Sequence, residues 1–276
     1  MRAARPRERG AFAAFDPSFH AMRLSSASAT DTGLRRSANE DNLSVRDDLG
    51  LYVVADGMGG HAAGEVASEA AVEGIVAFVE ATVKMSPDQT WPIPFNPEQS
   101  VNANRLQAGF RMGNRRLASQ IAASSELRGM ATTAVAMLAG DGIATLAHVG
   151  DSRGYRLREG ALERLTRDHS WVEEQIRVGA LTEEAARQHP WRNIVTRALS
   201  GSEELEVDVQ ELELEVGDRL LLCSDGVFTV LSDEQIAEVL GRDVELARIC
   251  EALIQGANDG GGPDNVTAVV LQVDAV

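Results

Sequence analysis

A chain of 276 residues can hold one large domain or two small ones with a real buried core, and 44% hydrophobic with 25% charged residues is an ordinary globular composition. With 26 basic against 42 acidic side chains, a net charge of -16, nucleic acid and anionic membrane are poor partners, because both need clustered Lys and Arg. Cys223 and Cys250 form no CxxC pair and lie in apolar surroundings, which predicts buried thiols in a reducing cytoplasmic compartment and neither a disulfide framework nor a zinc site.

In chain order, residues 1–24 are rich in Arg, Ala and Ser without periodicity and read as a flexible tail. No signal-peptide core follows Arg2, Arg5, Arg7 and Arg9, and no apolar run approaches the roughly 20 residues of a membrane span. Met22, just before the patterned region, is a second candidate start beside Met1. Residues 25–276 read as one domain. Leu51–Ala55 is an apolar strand running into the turn Asp56-Gly57. Helical spacing of Val66, Ala70, Val76, Val79 and Val83 predicts a helix over 61–83, with His61 and Glu65 as polar residues of its start. Leu106, Phe110, Leu117 and Ile121 predict a second. Between them, residues 87–97 hold four of the eight prolines and read as a surface loop whose Trp91 and Phe95 pack on the domain or offer a docking surface.

Strands follow over 131–138, 143–149, 155–158, 205–214, 219–224 and 265–273, with Asp141-Gly142 as a hairpin turn. Glu206, Asp208, Glu213 and Glu215 alternate with apolar residues as on a strand with one solvated face. Thr182-Glu-Glu opens a short helix, Ser232-Asp-Glu-Gln235 is a capping box, and Leu246, Ile249 and Leu253 define a last helix, with Gly256 expected beyond its end. Strand pairs separated by helix pairs indicate an α+β layered domain and not a parallel βαβ sheet.

Acids recur beside glycine or asparagine at strand ends: Asn39-Glu40-Asp41, Asp56-Gly57, Gly150-Asp151, Asp225-Gly226 and Asp264-Asn265. One Asp-Gly is usually only a turn. Five at strand ends suggest carboxylates converging on a cleft, where they would repel one another unless cations neutralised them. All-oxygen donors suit hard ions such as Mg²⁺ or Mn²⁺. Arg36 alone would be a surface arginine, Asp41 a capping acid, His148 a satisfied structural histidine, and Thr132 and Thr133 buried strand hydroxyls.

The sequence resembles the type 2C metal-dependent serine/threonine protein phosphatases, from about Ser25 to the C-terminus. The resemblance rests on an ordered series: Asp31-Thr-Gly-Leu-Arg-Arg36-Ser-Ala-Asn-Glu-Asp41, Val54-Ala-Asp-Gly-Met-Gly-Gly-His61, Gly64-Glu-Val-Ala-Ser68, Gly129-Met-Ala-Thr-Thr133, His148-Val-Gly-Asp-Ser-Arg153, Leu165-Thr-Arg-Asp-His-Ser170, Asn193-Ile-Val-Thr-Arg-Ala198, Leu221-Leu-Cys-Ser-Asp-Gly226 and Gly261-Gly-Pro-Asp-Asn-Val-Thr267. Met58 after the first Asp-Gly marks the bacterial branch. The resemblance implies a four-layer αββα sandwich, two mainly antiparallel sheets flanked by helices. It implies that Asp56 bridges two metal ions with the Gly57 carbonyl as a further ligand, that Asp225 and Asp264 complete one ion's shell, and that Glu40 serves the other through water with Asp41 beside it. Asp151 with Asp225 would hold a third, weaker ion, and Arg36 would grip the phosphate, its planar fork matching two oxygens. Two cations roughly 3.5–4 Å apart can hold and acidify a bridging water aimed at phosphorus.

The function so implied is hydrolysis of phosphoserine and phosphothreonine in proteins, with Mn²⁺ or Mg²⁺, by a monomer opposing cytoplasmic Ser/Thr kinases, its partners being phosphoproteins including such a kinase. The rival reading is an inactive phosphoprotein-binding scaffold of the same fold, which would be expected to have lost metal acids. Met58 stands where eukaryotic members carry a histidine that is a candidate general acid, so the leaving alkoxide needs another proton donor. Ala131 replaces a usual glycine, and residues 171–190 would form a flap beside the site.

Overall fold

The computed structural model describes residues 22–60, 63–85, 91, 94–140 and 142–276. His61, Asp141 and the tail up to residue 21 lie outside the described residues. Two sheets are built from short antiparallel strands. One runs β1 (Met22–Asp31), β11 (Val266–Ala275), β10 (Arg219–Cys223), β7 (Arg153–Arg158), β8 (Ala161–Arg164). The other runs β2 (Asp41–Arg46), β3 (Leu51–Met58), β5 (Ala134–Gly140), β6 (Ile143–Val149), β9 (Asp208–Glu213), with the two-residue β4 (Ala131–Thr132) pairing with the end of β3.

The period-2 alternation of the strands sorts their side chains into three apolar layers. Tyr52 and Val54 of β3 and Val135 and Met137 of β5 meet Leu220, Leu222, Val269 and Leu271 between the sheets. Their neighbours Leu51, Val53, Ala134 and Ala136 face outward onto α1 (Ala63–Thr82) and α2 (Val101–Ala123). On the opposite side Leu221, Cys223, Ala268 and Val270 pack under α6 (Asp233–Leu240) and α7 (Leu246–Asp259). Three cores stacked between four layers are the expected αββα sandwich, and every strand pair is antiparallel. Both cysteines are buried and free. Among the described residues no helix is long and apolar enough to cross a membrane.

Three expectations are corrected. Met22–Leu24 continues the ladder opposite Val273–Ala275, so the boundary drawn after residue 24 falls inside β1. Gly256 lies within α7, packed against Leu231, and Gly260 is the C-cap. The strand read over 131–138 is broken at Thr133, whose N–H turns to the Asp56 carbonyl at 2.9 Å. The capping box at Ser232 and Gln235 forms as read, and Thr182 caps α4 (Glu183–Arg187). Trp91 packs 6.5 Å from Phe78 and 5.2 Å from Phe95, ring to ring.

Candidate metal centre and active site

Antiparallel pairing carries Asp41, Asp56, Asp151, Asp225 and Asp264 to one end of the sandwich. Asp41 opens β2 opposite Asp56 near the end of β3. Asp151 follows β6, Asp225 follows β10 at the start of the single turn α5 (Asp225–Phe228), and Asp264 precedes β11, whose Val266 pairs with Asp31 at the end of β1. Glu40 sits one residue ahead of β2, on the same rim.

Neutral polar groups fix these positions. The Asp56 carbonyl accepts from Thr133 N–H at 2.9 Å and from Thr132 Oγ1 at 2.8 Å, and Asp56 N–H donates to Thr133 Oγ1 at 3.3 Å. Gly57 N–H donates to the Glu40 carbonyl at 3.1 Å, and a Cβ on Gly57 would lie 2.0 Å from the Gly64 carbonyl oxygen, so only glycine lets the rim of β3 pass the start of α1. Asn265 Oδ1 accepts from Glu40 N–H at 2.8 Å while its Nδ2 donates to the carbonyls of Thr32 and Ala38 at 2.9 Å, tying the Asp264 turn to the loop that carries Arg36. Asp41 Oδ2 accepts from Ser224 Oγ and Thr267 Oγ1, each at 2.7 Å.

The electrostatic consequence is severe. Burial, reinforced by Asp41, Asp225, Asp151 and Asp264, pushes the Asp56 carboxyl well above its ordinary range. Burial and then Asp151, Asp264 and Asp41 do the same to Asp225. Asp41 and Asp151 are pushed up to about 6, burial being the first cause in both and Asp264 and Asp168 the respective neighbours that add to it. Asp41 Oδ1 and Asp225 Oδ1 are shut off from solvent and have no hydrogen-bond partner. Buried carboxylate oxygens without donors are costly, and an all-oxygen donor set of this charge fits hard divalent cations. Arg36, half exposed, donates from Nη2 to Asp264 Oδ2 at 2.7 Å.

No three of the cleft acids among the described residues have donor atoms all within 4.8 Å of one another. Among the described residues, the trio of metal-ligand side chains with donor atoms all within 4.8 Å of one another lies outside the cleft, at His148, His169 and Asp208. Its hydrogen bonds argue against a cation. Gly150 N–H donates to His169 Nδ1 at 3.0 Å, so neutral His169 carries its proton on Nε2, which faces Asp208 Oδ2 at 3.2 Å and lies 3.1 Å from Arg197 Nη1. Arg197 Nη1 sits 2.7 Å from Asp208 Oδ1 and supplies the positive charge already. His148, expected to be structural, bonds the Arg167 carbonyl through Nε2 at 2.8 Å. Asp208, read as a merely solvated strand acid, is engaged by both His169 and Arg197.

Beside Asp151 and Asp225 a cavity of about 480 Å³ opens between α5 and the flap formed by α3 (Trp171–Arg177) and α4, with Val172, Ile176, Ala186 and Phe228 among its walls. The residues sequence reasoning passed over are the supports: Ser224, Thr267 and Asn265. Each adjoins a named acid or belongs to a quoted motif, yet its partner is far away in the chain, as with Thr267 and Asp41 at a separation of 226 residues.

Residues 34–259 match the protein phosphatase 2C family. The serine/threonine protein phosphatase PstP of Mycobacterium tuberculosis is 42% identical over 247 residues, 90% of this chain and 44% of that protein, so the chain spans less than half of PstP's length. The serine/threonine phosphatase stp of Listeria monocytogenes is 37% identical over 251 residues, covering 89% of this chain and 94% of stp. A crystal structure of the PstP catalytic domain in complex with two manganese ions superposes with a TM-score of 0.78 at 38% identity, over 92% of this chain and all of that one. The layered fold, the rim of strand-end acids and these similarities lead to one conclusion: the chain belongs to the protein phosphatase 2C family.

Proposed function

We propose that this chain is a metal-dependent protein phosphatase that hydrolyses phosphoserine and phosphothreonine in other proteins. The observation that carries the reading is the gathering of Asp41, Asp56, Asp151, Asp225 and Asp264 at one rim with two buried oxygens lacking any donor. Asp56 and the Gly57 carbonyl, with Asp225 and Asp264, would hold one divalent ion. Asp56 with Glu40, backed by Asp41, would hold a second, and Asp151 with Asp225 a third and weaker one. Bound Mn²⁺ or Mg²⁺ supplies charge neutralisation at the phosphate and a water acidic enough to attack it. Arg36 would bind two phosphate oxygens and so orient the ester; its position beside Asp264 keeps the guanidinium at the rim. Met58, at the end of β3, has no proton to give, so the leaving alkoxide is protonated by another group.

In the same reading the catalytic domain is a single unit running from β1 to β11. It acts as a cytoplasmic monomer in signalling, on phosphoproteins that include a Ser/Thr kinase, and the acidic balance of -16 disfavours nucleic acid and membrane surfaces as partners. The test is phosphate release from a phosphothreonine peptide with Mn²⁺, with Mg²⁺ and after EDTA, beside Asp225→Asn. Metal-dependent release that disappears in the variant is expected. No turnover by folded protein with any divalent ion would refute the reading and leave a phosphoprotein-binding scaffold.

A further inference from the structure

The motif Leu165-Thr-Arg-Asp-His-Ser170 has no part in the function above, yet two of its residues grip the turn that carries Asp151. We propose that His169 is a positioning residue that clamps the Gly150 peptide, aims Asp151, and thereby sets the affinity of the weaker cation site Asp151 would share with Asp225. The inference rests on the assignment of Asp151 to that site.

The clamp closes on both faces of Gly150. Gly150 N–H donates to His169 Nδ1 at 3.0 Å, and His169 N–H donates back to the Gly150 carbonyl at 2.9 Å. Gly150 needs such a hold because its φ of +103° is open to glycine alone, and a Cβ there would lie 2.5 Å from the Thr133 side chain. The imidazole is itself held at every edge. With Nδ1 accepting, Nε2 carries the proton toward Asp208, which is anchored by Arg197, whose Nη1 also lies 3.1 Å from Nε2. The ring stacks on His148 with centroids 4.7 Å apart.

The adjacent Asp168 grips the other end of the same turn. It accepts from Arg153 Nε at 2.9 Å and from Nη2 at 2.6 Å, and the Arg153 guanidinium lies 3.6 Å over the ring of Phe228 in α5, the helical turn that Asp225 begins. Ser152, inside the turn, shares a 2.6 Å hydroxyl bond with Thr133. Asp168 and His169 thus hold Gly150 and Arg153 on either side of Asp151, and Ser170 caps α3 at the root of the flap.

The two nitrogens of His169 can be separated by substitution. Asparagine places an acceptor where Nδ1 stands and gives up the Asp208 bond; glutamine reaches toward Nε2 and gives up the Gly150 bond. The readout is a Mn²⁺ binding isotherm, from the electron paramagnetic resonance signal of free Mn²⁺, on wild type, His169→Asn, His169→Gln and Asp151→Asn, with calorimetric melting to confirm folding. We expect His169→Gln to weaken the weakest class of sites about tenfold, the scale of one lost buried hydrogen bond, with the tighter sites unchanged, and His169→Asn to stay within about threefold of wild type. Equal isotherms for the two variants, or a weaker one for Asn, would overturn the proposal. If His169→Gln does not melt cooperatively, a folded His169→Asn that has lost the weak class overturns it as well. An unchanged isotherm in Asp151→Asn would instead remove the cation assignment on which the proposal rests.

Discussion

Replacing Asp41 by asparagine should stabilise the cation-free protein. Asp41 is 8% exposed, its Oδ2 held by two hydroxyls and its Oδ1 bare. Burial pushes its carboxyl up to about 6, with the Thr267 and Ser224 bonds opposing and Asp264 adding to the rise. A carboxyl whose folded value is raised favours folding below its ordinary value of about 4, and that contribution is lost as pH rises through about 6. A rise from about 4 to about 6 corresponds to ~3 kcal/mol, so at pH 7.5 the charged Asp41 costs the fold about that much relative to its protonated form. Asparagine keeps an oxygen for both hydroxyls and removes the charge. In EDTA at pH 7.5 we therefore expect Asp41→Asn to melt higher by ~2–12 °C, taking ~1–3 kcal/mol at ~2–4 °C per kcal/mol for a domain of this size. At pH 4.5 wild-type Asp41 is itself protonated, and the gap should shrink toward zero. Differential scanning calorimetry at the two pH values measures it. A variant no more stable than wild type at pH 7.5, or a gap of equal size at both, would refute the argument. With saturating Mn²⁺ the order should reverse, because ligand binding adds about RT ln(1 + [L]/Kd) to the wild type's stability and less to a variant with a weakened site.

Arg36→Lys should raise the KM for a phosphopeptide about tenfold with a smaller change in kcat, because a single ammonium cannot bind two phosphate oxygens side by side; an unchanged KM would remove Arg36 from the phosphate site. Gly150→Ala should cost ~3–5 kcal/mol in urea unfolding, combining the positive φ with the 2.5 Å approach to Thr133; a loss under ~1 kcal/mol would mean that the turn rearranges freely. Asn114→Ala should cost ~2–3 kcal/mol by the same assay, since buried Asn114 accepts from the N–H groups of Ser200 and Gly201 and donates to the Ser202 carbonyl.

Much of the fold was legible because its layers are written in strict periods. The strand read over 143–149 forms with those bounds, and α1 and α2 lie where the apolar spacing put them. β1 was missed because Ser25-Ser-Ala-Ser-Ala-Thr30 offers small, half-polar side chains with no apolar alternation; it becomes a strand by pairing along its whole length with the apolar β11, a partner some 250 positions away. Gly256 was misread because a glycine near a helix end signals a cap, whereas here it makes room for Leu231. The acids of the cleft were visible, since a carboxylate beside glycine at the end of an apolar run is a local signal. Their supports were not, since Ser224, Thr267 and His169 are ordinary polar residues until tertiary pairing sets them against Asp41 and Gly150.

That asymmetry has a physical reason. Buried carboxylates can be steadied by counter-charges or by neutral hydrogen-bond donors, and these choices have opposite consequences for cation affinity. A buried salt bridge would neutralise the site and compete with a metal; hydroxyls and amides orient an oxygen while leaving its charge uncompensated. The Asp41 carboxylate is held by Ser224 and Thr267 and the Asp56 main chain by Thr132 and Thr133, and Arg153, in the turn after Asp151, directs its bidentate fork to Asp168. Arg36 is the exception on the rim, and it is half exposed, where its pair with Asp264 is weak and exchangeable. The raised carboxyls are therefore the cost of a site kept short of positive charge, which divalent cations can supply without first displacing a buried arginine. Positions like Ser224 and Thr267 should accordingly tolerate other neutral donors far better than they tolerate lysine, whose ammonium would stabilise the apoprotein by pairing Asp41 and weaken its binding of Mn²⁺.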